Sequence, residues 1–206
     1  MKAIIALQKL VLDPSSQISD ILRHAYLISC KLNLDDLKRW CELELNGYQS
    51  IDDSNIPEYR YIFGSLCLKN SLSGQTAIFN AEAIFSGQII KDGISFFEGA
   101  LKTKSDSVTL EVKSDIDKIL RENNPQCQES HFIFQIRTSK IPFQKALDTI
   151  KFKILELSYN LEKEGILGDD WEFTETEKEH VLNVTYNIGT VENMANHNLD
   201  SFIDRN

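Results

Sequence analysis

The sequence predicts an α+β fold: an N-terminal helical subdomain, a mostly antiparallel sheet, a long C-terminal helix and a final strand. Three observations carry this. Apolar residues in the first 48 positions recur at spacings of three and four. The middle of the chain holds short runs rich in β-branched and aromatic residues. Residues 143–161 form an unbroken helical seam. The periods 3.6 and 2 distinguish a helix with one buried face from a half-buried strand. The expected organisation is a helical subdomain over 1–48, an α+β region over 49–189 packed with it as one domain, and a flexible tail over 190–206.

The elements follow in order. Ala3 to Val11 reads as a short apolar helix stopped by Asp13-Pro14, with Ser15 and Ser16 as caps for the next. Ile18, Ile21, Ala25, Ile28 and Leu32 share one face of a second helix, which Asn33 breaks. Asn33, with Asp36 three residues on, is also positioned to cap a third helix in a near capping box. That helix faces inward through Leu37, Trp40 and Cys41 and ends at Asn46-Gly47, both tolerant of a left-handed stop. Strands are expected at Tyr59–Leu68, Ala77–Phe85, Ser107–Val112 and His131–Arg137. In the last, Phe132, Phe134 and Ile136 alternate with wetter positions, and Ile133 interrupts the wet side. "KDGISFFEGAL" predicts a short helix that turns Phe96 or Phe97 inward. Ser114 caps another at "SDIDKILRENNP".

Phe143, Leu147, Ile150, Ile154, Leu157 and Leu161 repeat at four, three, four, three, four, with Pro142 in the first turn and Gly165 closing the helix. Three heptads favour a core helix over a zipper, though 143–161 is also the candidate surface for a homo-oligomer. After the acidic "GDDWEFTETEKEH", Leu182, Val184, Tyr186 and Ile188 alternate with polar residues, which predicts the final strand.

Composition narrows the function. Hydrophobic residues make up 42% and charged residues 26% of the 206 residues, as in soluble globular chains. The net charge of −9 argues against a nucleic-acid partner, because such surfaces are basic. No apolar run reaches the ~20 residues that span a bilayer, and Lys9 interrupts the N-terminal one, so the expectation is a cytoplasmic protein with no membrane segment. Cys30, Cys41, Cys67 and Cys127 form no CxxC pair and read as buried, reduced thiols.

"WCELELNGYQSIDDSNIPEYRYI" concentrates unusual residues at one corner. Trp40, Glu42, Glu44, Asn46, Tyr48, Tyr59 and Arg60 are the candidate binding residues. One reading is structural: Trp40 buries, Asn46-Gly47 caps, Tyr48 packs back, and Arg60 pairs with Glu42 or Glu44. The other is a pocket or partner surface built from a carboxylate, an arginine and tyrosines.

The same stretch resembles the AbiTii domain, found in bacterial phage-resistance loci. Trp40, Glu44, Leu45, Asn46, Gly47 and Tyr48, then Pro57, Tyr59 and Arg60, carry the resemblance. "SFFEGAL", with a similarly placed Glu, and the long helix ending in Leu-Glu-x-x-Gly-Ile extend it over roughly residues 3–170. The resemblance implies a role in antiphage defence. It carries over no catalytic residue.

Enzyme motifs are scarce. The chain has no Gly-Lys, GxGxxG, GxSxG or HExxH, and His24, His131, His180 and His197 are scattered. Glu111-Val-Lys113 has the E-x-K pattern of metal-dependent nucleases, with Asp92 or Glu98 as partner carboxylate. An alternating solvent face explains the pair as well. No cofactor is expected. The leading expectation is a non-enzymatic sensor or partner-binding component of an abortive-infection system. Its partner would be a protein, phage-derived or encoded in the same locus. The alternatives are a toxin acting on nucleic acid as a metal-dependent nuclease, and a module that binds a nucleotide signal.

Overall fold

The structure, a computed structural model, describes residues 1–80 and 86–188. The expected tail over 190–206, and residues 81–85 of the expected strand Ala77–Phe85, lie outside the described residues. The chain divides into two compact units that alternate in sequence. The first comprises Met1–Asp52, Lys91–Glu98 and the chain from Ala146 onward, and the second comprises Asp53–Ile90 and Gly99–Lys145. The architecture is α+β, with N-terminal helices, an antiparallel sheet and a long late helix.

The first unit opens with α1 (Ala3–Leu12), α2 (Ile18–Leu32) and α3 (Asp35–Asn46), and α2 packs against both of its neighbours. All five residues expected on the inner face of α2 are buried. Asn33 ends α2 as expected, in the left-handed conformation with φ of 57°, but it does not cap α3. Leu34 holds that position with no side-chain cap. Ser15 and Ser16 do not cap α2 either, because their hydroxyl and amide chemistry is local: Ser15 donates twice to Asp13 Oδ1. A residue 79 positions away does the work instead. Glu98 lies on α4 (Ile94–Lys102) and is buried, its two oxygens accepting Ser19 N at 3.0 Å and Ser19 Oγ at 3.1 Å. A carboxylate there satisfies an orphan donor and meets the positive end of the helix dipole. On the same helix Phe97 is fully buried and Phe96 is 38% exposed, so Phe97 is the inward ring.

The long helix α6 (Ile141–Lys163) runs where the seam predicts, and all six seam residues are buried within the chain, which makes it a core helix. Gly165, at φ of +76°, closes it, and Ile166 N donates back to Leu161 O at 2.9 Å.

The expected final strand is instead helix α7 (Glu175–Ile188). A capping box explains the correction. Thr174 Oγ1 accepts Glu177 N at 3.2 Å, while Glu177 Oε2 accepts Thr174 N at 2.8 Å and Thr174 Oγ1 at 3.0 Å. Glu175 and Glu177 also place two acids in the first turn. This start signal overrides the two-residue alternation that follows it.

The second unit holds the sheet. β1 (Tyr61–Phe63) pairs with β4 (Gly87–Ile89), and β3 (Thr76–Ile78), β2 (Ser65–Asn70), β6 (Phe132–Ser139) and β5 (Ser107–Glu111) form an antiparallel sheet in that order. The single strand expected over Tyr59–Leu68 is therefore two, divided at Gly64. A side chain there would sit 2.5 Å from the Arg137 carbonyl oxygen, so the chain bends between sheets where only glycine fits. In register, Leu66 faces Ile136, Leu68 faces Phe134, and Leu110 faces Ile136, which gives one apolar face. Ile133 lies on the opposite, wetter face, 39% exposed. α5 (Ser114–Asn123) starts behind Lys113 with no side-chain cap, so Ser114 is its first residue and not its cap. Asp117 there makes a forked pair with Arg121, at 2.6 and 3.2 Å. Arg121 also donates to the carbonyls of Cys127 and Phe132, each at 2.8 Å, and covers the Phe134 ring.

Two measurements check this account. Glu98→Ala leaves the start of α2 uncapped and opens a buried gap, so chemical denaturation should show a loss of about 2–3 kcal/mol, with Glu98→Gln closer to 1. Burial pulls the Glu177 carboxyl upward, but hydrogen bonds from Gly168, Thr174 and Leu167 outweigh it and hold its pKa at about 2, below the ordinary 4.5. A depressed carboxyl stabilises the fold above its unfolded value and loses that contribution as pH falls through the folded one. The stability difference between wild type and Glu177→Gln should therefore be constant above about pH 5 and shrink between 4.5 and 2; a difference independent of pH would overturn it.

Candidate functional site

The corner resolves into an inner part and an outer part. The inner part begins where α3 ends. Gly47 has φ of +103° and ψ of 169°, a region almost reserved for glycine, and it pairs with Asp92 in an isolated bridge. Tyr48 N donates to Lys91 O at 2.6 Å, and Lys91 Nζ donates to Ile51 O at 2.7 Å. A Cβ on Gly47 would lie 2.6 Å from the Lys91 carbonyl oxygen, and one on Gly93 would strike the Leu45 carbonyl. Two glycines thus let two backbones touch. Tyr48 then turns back along α3, buried, and its hydroxyl donates to Glu44 Oε1 at 2.7 Å. Glu44 is fully buried.

The outer part is an open groove of about 520 Å³ along the solvent side of α3. Asp35, Lys38, Arg39, Glu42, Leu43, Asn46, Gly47, Ser50 and Ile51 line it. Those α3 positions recur at three and four, so they form one stripe. The stripe alternates acid, base, acid, and Leu43 and Ile51 supply apolar floor. Glu42 is held by Tyr26, whose hydroxyl donates to Oε1 at 3.1 Å. Hydrogen bonding to Cys30 first and Glu42 second pushes the Tyr26 phenol up to about 12, so it stays a donor. Trp40 is half-buried on the same helix.

The remaining corner residues belong to the second unit. Pro57 opens a single turn, Glu58–Arg60, in which Arg60 N donates to Pro57 O at 2.9 Å. Tyr59 is half-buried. Arg60 is fully buried, its Nη1 donating to Ile90 O at 3.1 Å while its own carbonyl accepts Ile90 N at 2.9 Å.

The other candidates separate. Glu111 is exposed at the end of β5, and Lys113 pairs with Asp53 at 3.2 Å. Asp92 is exposed in the turn facing Gly47, and Glu98 is engaged with Ser19. Among the described residues no three His, Cys, Asp or Glu side chains are grouped to hold a metal ion. Burial, reinforced by Glu44, pushes the Cys41 thiol up, the reverse of an activated nucleophile. All four cysteines are free thiols, and His24 lies with Nδ1 2.8 Å from Asp20 O and its ring 5.6 Å from Trp171.

Sequence reasoning missed the groove residues Asp35, Lys38, Arg39, Leu43, Ser50 and Ile51. The signal was present: Asp35, Lys38, Arg39 and Glu42 share a face opposite Leu37 and Cys41. The glycine contact predicts a sharp contrast. Gly47→Ala should lower stability by about 3 kcal/mol, because the conformation and the space both reject a side chain. Arg39→Ala on the groove should change it by less than about 0.5 kcal/mol. Equal losses in a denaturation series would contradict the division into inner and outer parts.

Comparison with known proteins agrees with the sequence pattern. No curated protein and no solved structure matches the chain. The AbiTii family model matches residues 3–186, which takes in α1 to α6, α7 as far as Tyr186, both glycines of the corner and the capping box of α7. The chain belongs to the AbiTii family.

Proposed function

We propose that this chain is a non-enzymatic recognition component of an abortive-infection system, a sensor or partner-binding subunit, and that the α3 groove is its contact surface. Family membership ties the chain to abortive infection and phage defence. The observation that carries the finer reading is the groove itself. Its rim places Lys38 and Arg39 between Asp35 and Glu42 on one helix face, held rigid by the glycine contact at the end of α3. A rigid helix presenting ordered charges over a small apolar floor suits recognition of a protein segment, since charge order fixes register and partner choice. Among the described residues no helix is long and apolar enough to cross a membrane, so the reading needs no bilayer.

The test is charge reversal at the groove. Arg39→Glu or Lys38→Glu should reduce protection in a phage plating assay, and reduce recovery of the bound protein from infected cells, by about tenfold or more, with the melting temperature unchanged. Lys118→Glu, a reversal on exposed α5, serves as control and should leave both intact. Full protection by both groove variants would sink the proposal.

A further inference from the structure

The loop between α6 and α7 is bonded on both sides of the same two residues. Leu167 N and Gly168 N each donate to Glu177 Oε1 at 2.9 Å. Their carbonyls accept from the start of α1, Ile4 N to Leu167 O at 3.1 Å and Ala3 N to Gly168 O at 3.0 Å. Those two amides are orphan donors of α1, whose N-cap Lys2 makes no side-chain cap. The loop therefore caps α1, and Glu177 holds the loop.

The rest of the loop is held under tension. Asp169 and Glu172 close a two-residue turn, with reciprocal backbone bonds of 2.8 and 2.9 Å. Asp170 and Trp171 occupy its centre at φ of 49° and 67°. Asn-Gly is the usual pair in such a turn, and a bulky residue there costs about 1–3 kcal/mol. Contacts to α2 and to the chain's start offset that cost: Trp171 against the His24 ring, Glu172 to Lys31 at 2.6 Å, and Lys2 to Asp169 at 3.4 Å.

We propose that residues 165–174 act as a strap that locks α7 and the start of α1 into one cooperative latch, with the Glu177 carboxylate as its catch. Displacement of α7 withdraws the acceptor from Leu167 and Gly168, frees the strained turn, and uncaps α1 in the same event. A partner that pulls on α7 would thereby loosen the opposite end of the chain without touching it. The device does not depend on the α3 groove.

Backbone amide exchange measured by NMR on the full chain tests it. Glu177→Ala should raise exchange at Leu167 and Gly168 by at least about tenfold, and at Ala3 and Ile4 by a comparable factor, while Cys41 and Leu45 on α3 stay unchanged. Glu177→Gln, which keeps the size and one acceptor oxygen, should show the same pattern at smaller amplitude and supplies the answer if the alanine variant does not fold. Protection retained at Ala3 and Ile4 while Leu167 and Gly168 open would overturn the coupling. So would a uniform rise at every amide, which marks general destabilisation.

Discussion

The backbone contact between the end of α3 and residues 91–93 is the constraint on which the first unit's organisation depends. Two chain segments more than 40 residues apart meet through main-chain groups, with Tyr48 N on Lys91 O and Gly47 opposite Asp92. Such an approach leaves no room for a Cβ on either side, and Gly47 and Gly93 provide that room. Once the contact is made, α3 cannot rotate about its axis. Its inward face is fixed by Leu37, Cys41 and Glu44, and its outward face must be the charged stripe. The same turn starts α4, which delivers Glu98 to the first turn of α2.

This constraint sorts the corner's polar residues by physics. Glu44 and Arg60 are fully buried, and each keeps a hydrogen bond within its own unit: Glu44 Oε1 accepts from the Tyr48 hydroxyl, and the Arg60 guanidinium donates to Ile90 O. A buried charge must be compensated or it costs several kcal/mol, so these positions are fixed by folding. Glu42 and Asn46 face the groove, where a side chain can change with little effect on stability. Carboxylates two residues apart on one helix thus carry different roles, because a step of two turns the side chain by about 200°.

How much of this was legible in the sequence depends on the range of the interaction. α1, α2, α3 and α6 were readable because a 3.6-residue period is a local record of which face is buried. Gly64 was visible but its meaning was not, since its reason is the Arg137 carbonyl on β6. The expected caps at Ser15, Ser16, Asn33 and Ser114 failed for a related reason. A local rule proposes the nearest hydroxyl or amide, whereas α2 takes its acceptor from Glu98 and α1 takes two carbonyls from the α6–α7 loop. The end of the chain differs, because Thr174 and Glu177 stand at capping-box spacing in the sequence itself and a two-residue alternation follows them that resembles a strand.

The two remote carboxylates show how a chain with discontinuous units holds its helices in place. Glu98 and Glu177 each sit against amides that no intrahelical carbonyl can satisfy: Ser19 at the start of α2, and Leu167 and Gly168 in the loop that caps α1. A carboxylate at such a position is worth more than a neutral acceptor, because the amides and the negative charge reinforce one another where water is partly excluded. The arrangement also makes each helix start conditional on another element: α2 on α4, and α1 on α7 through the loop. Such conditional caps convert local fraying into a cooperative event, because an end cannot open without its remote acceptor leaving. The Gly47–Lys91 contact, which uses backbone on both sides and no titratable group, has no such release. The corner is therefore held by main-chain groups alone, whereas the carboxylate-capped helix starts each depend on a side chain supplied by another element.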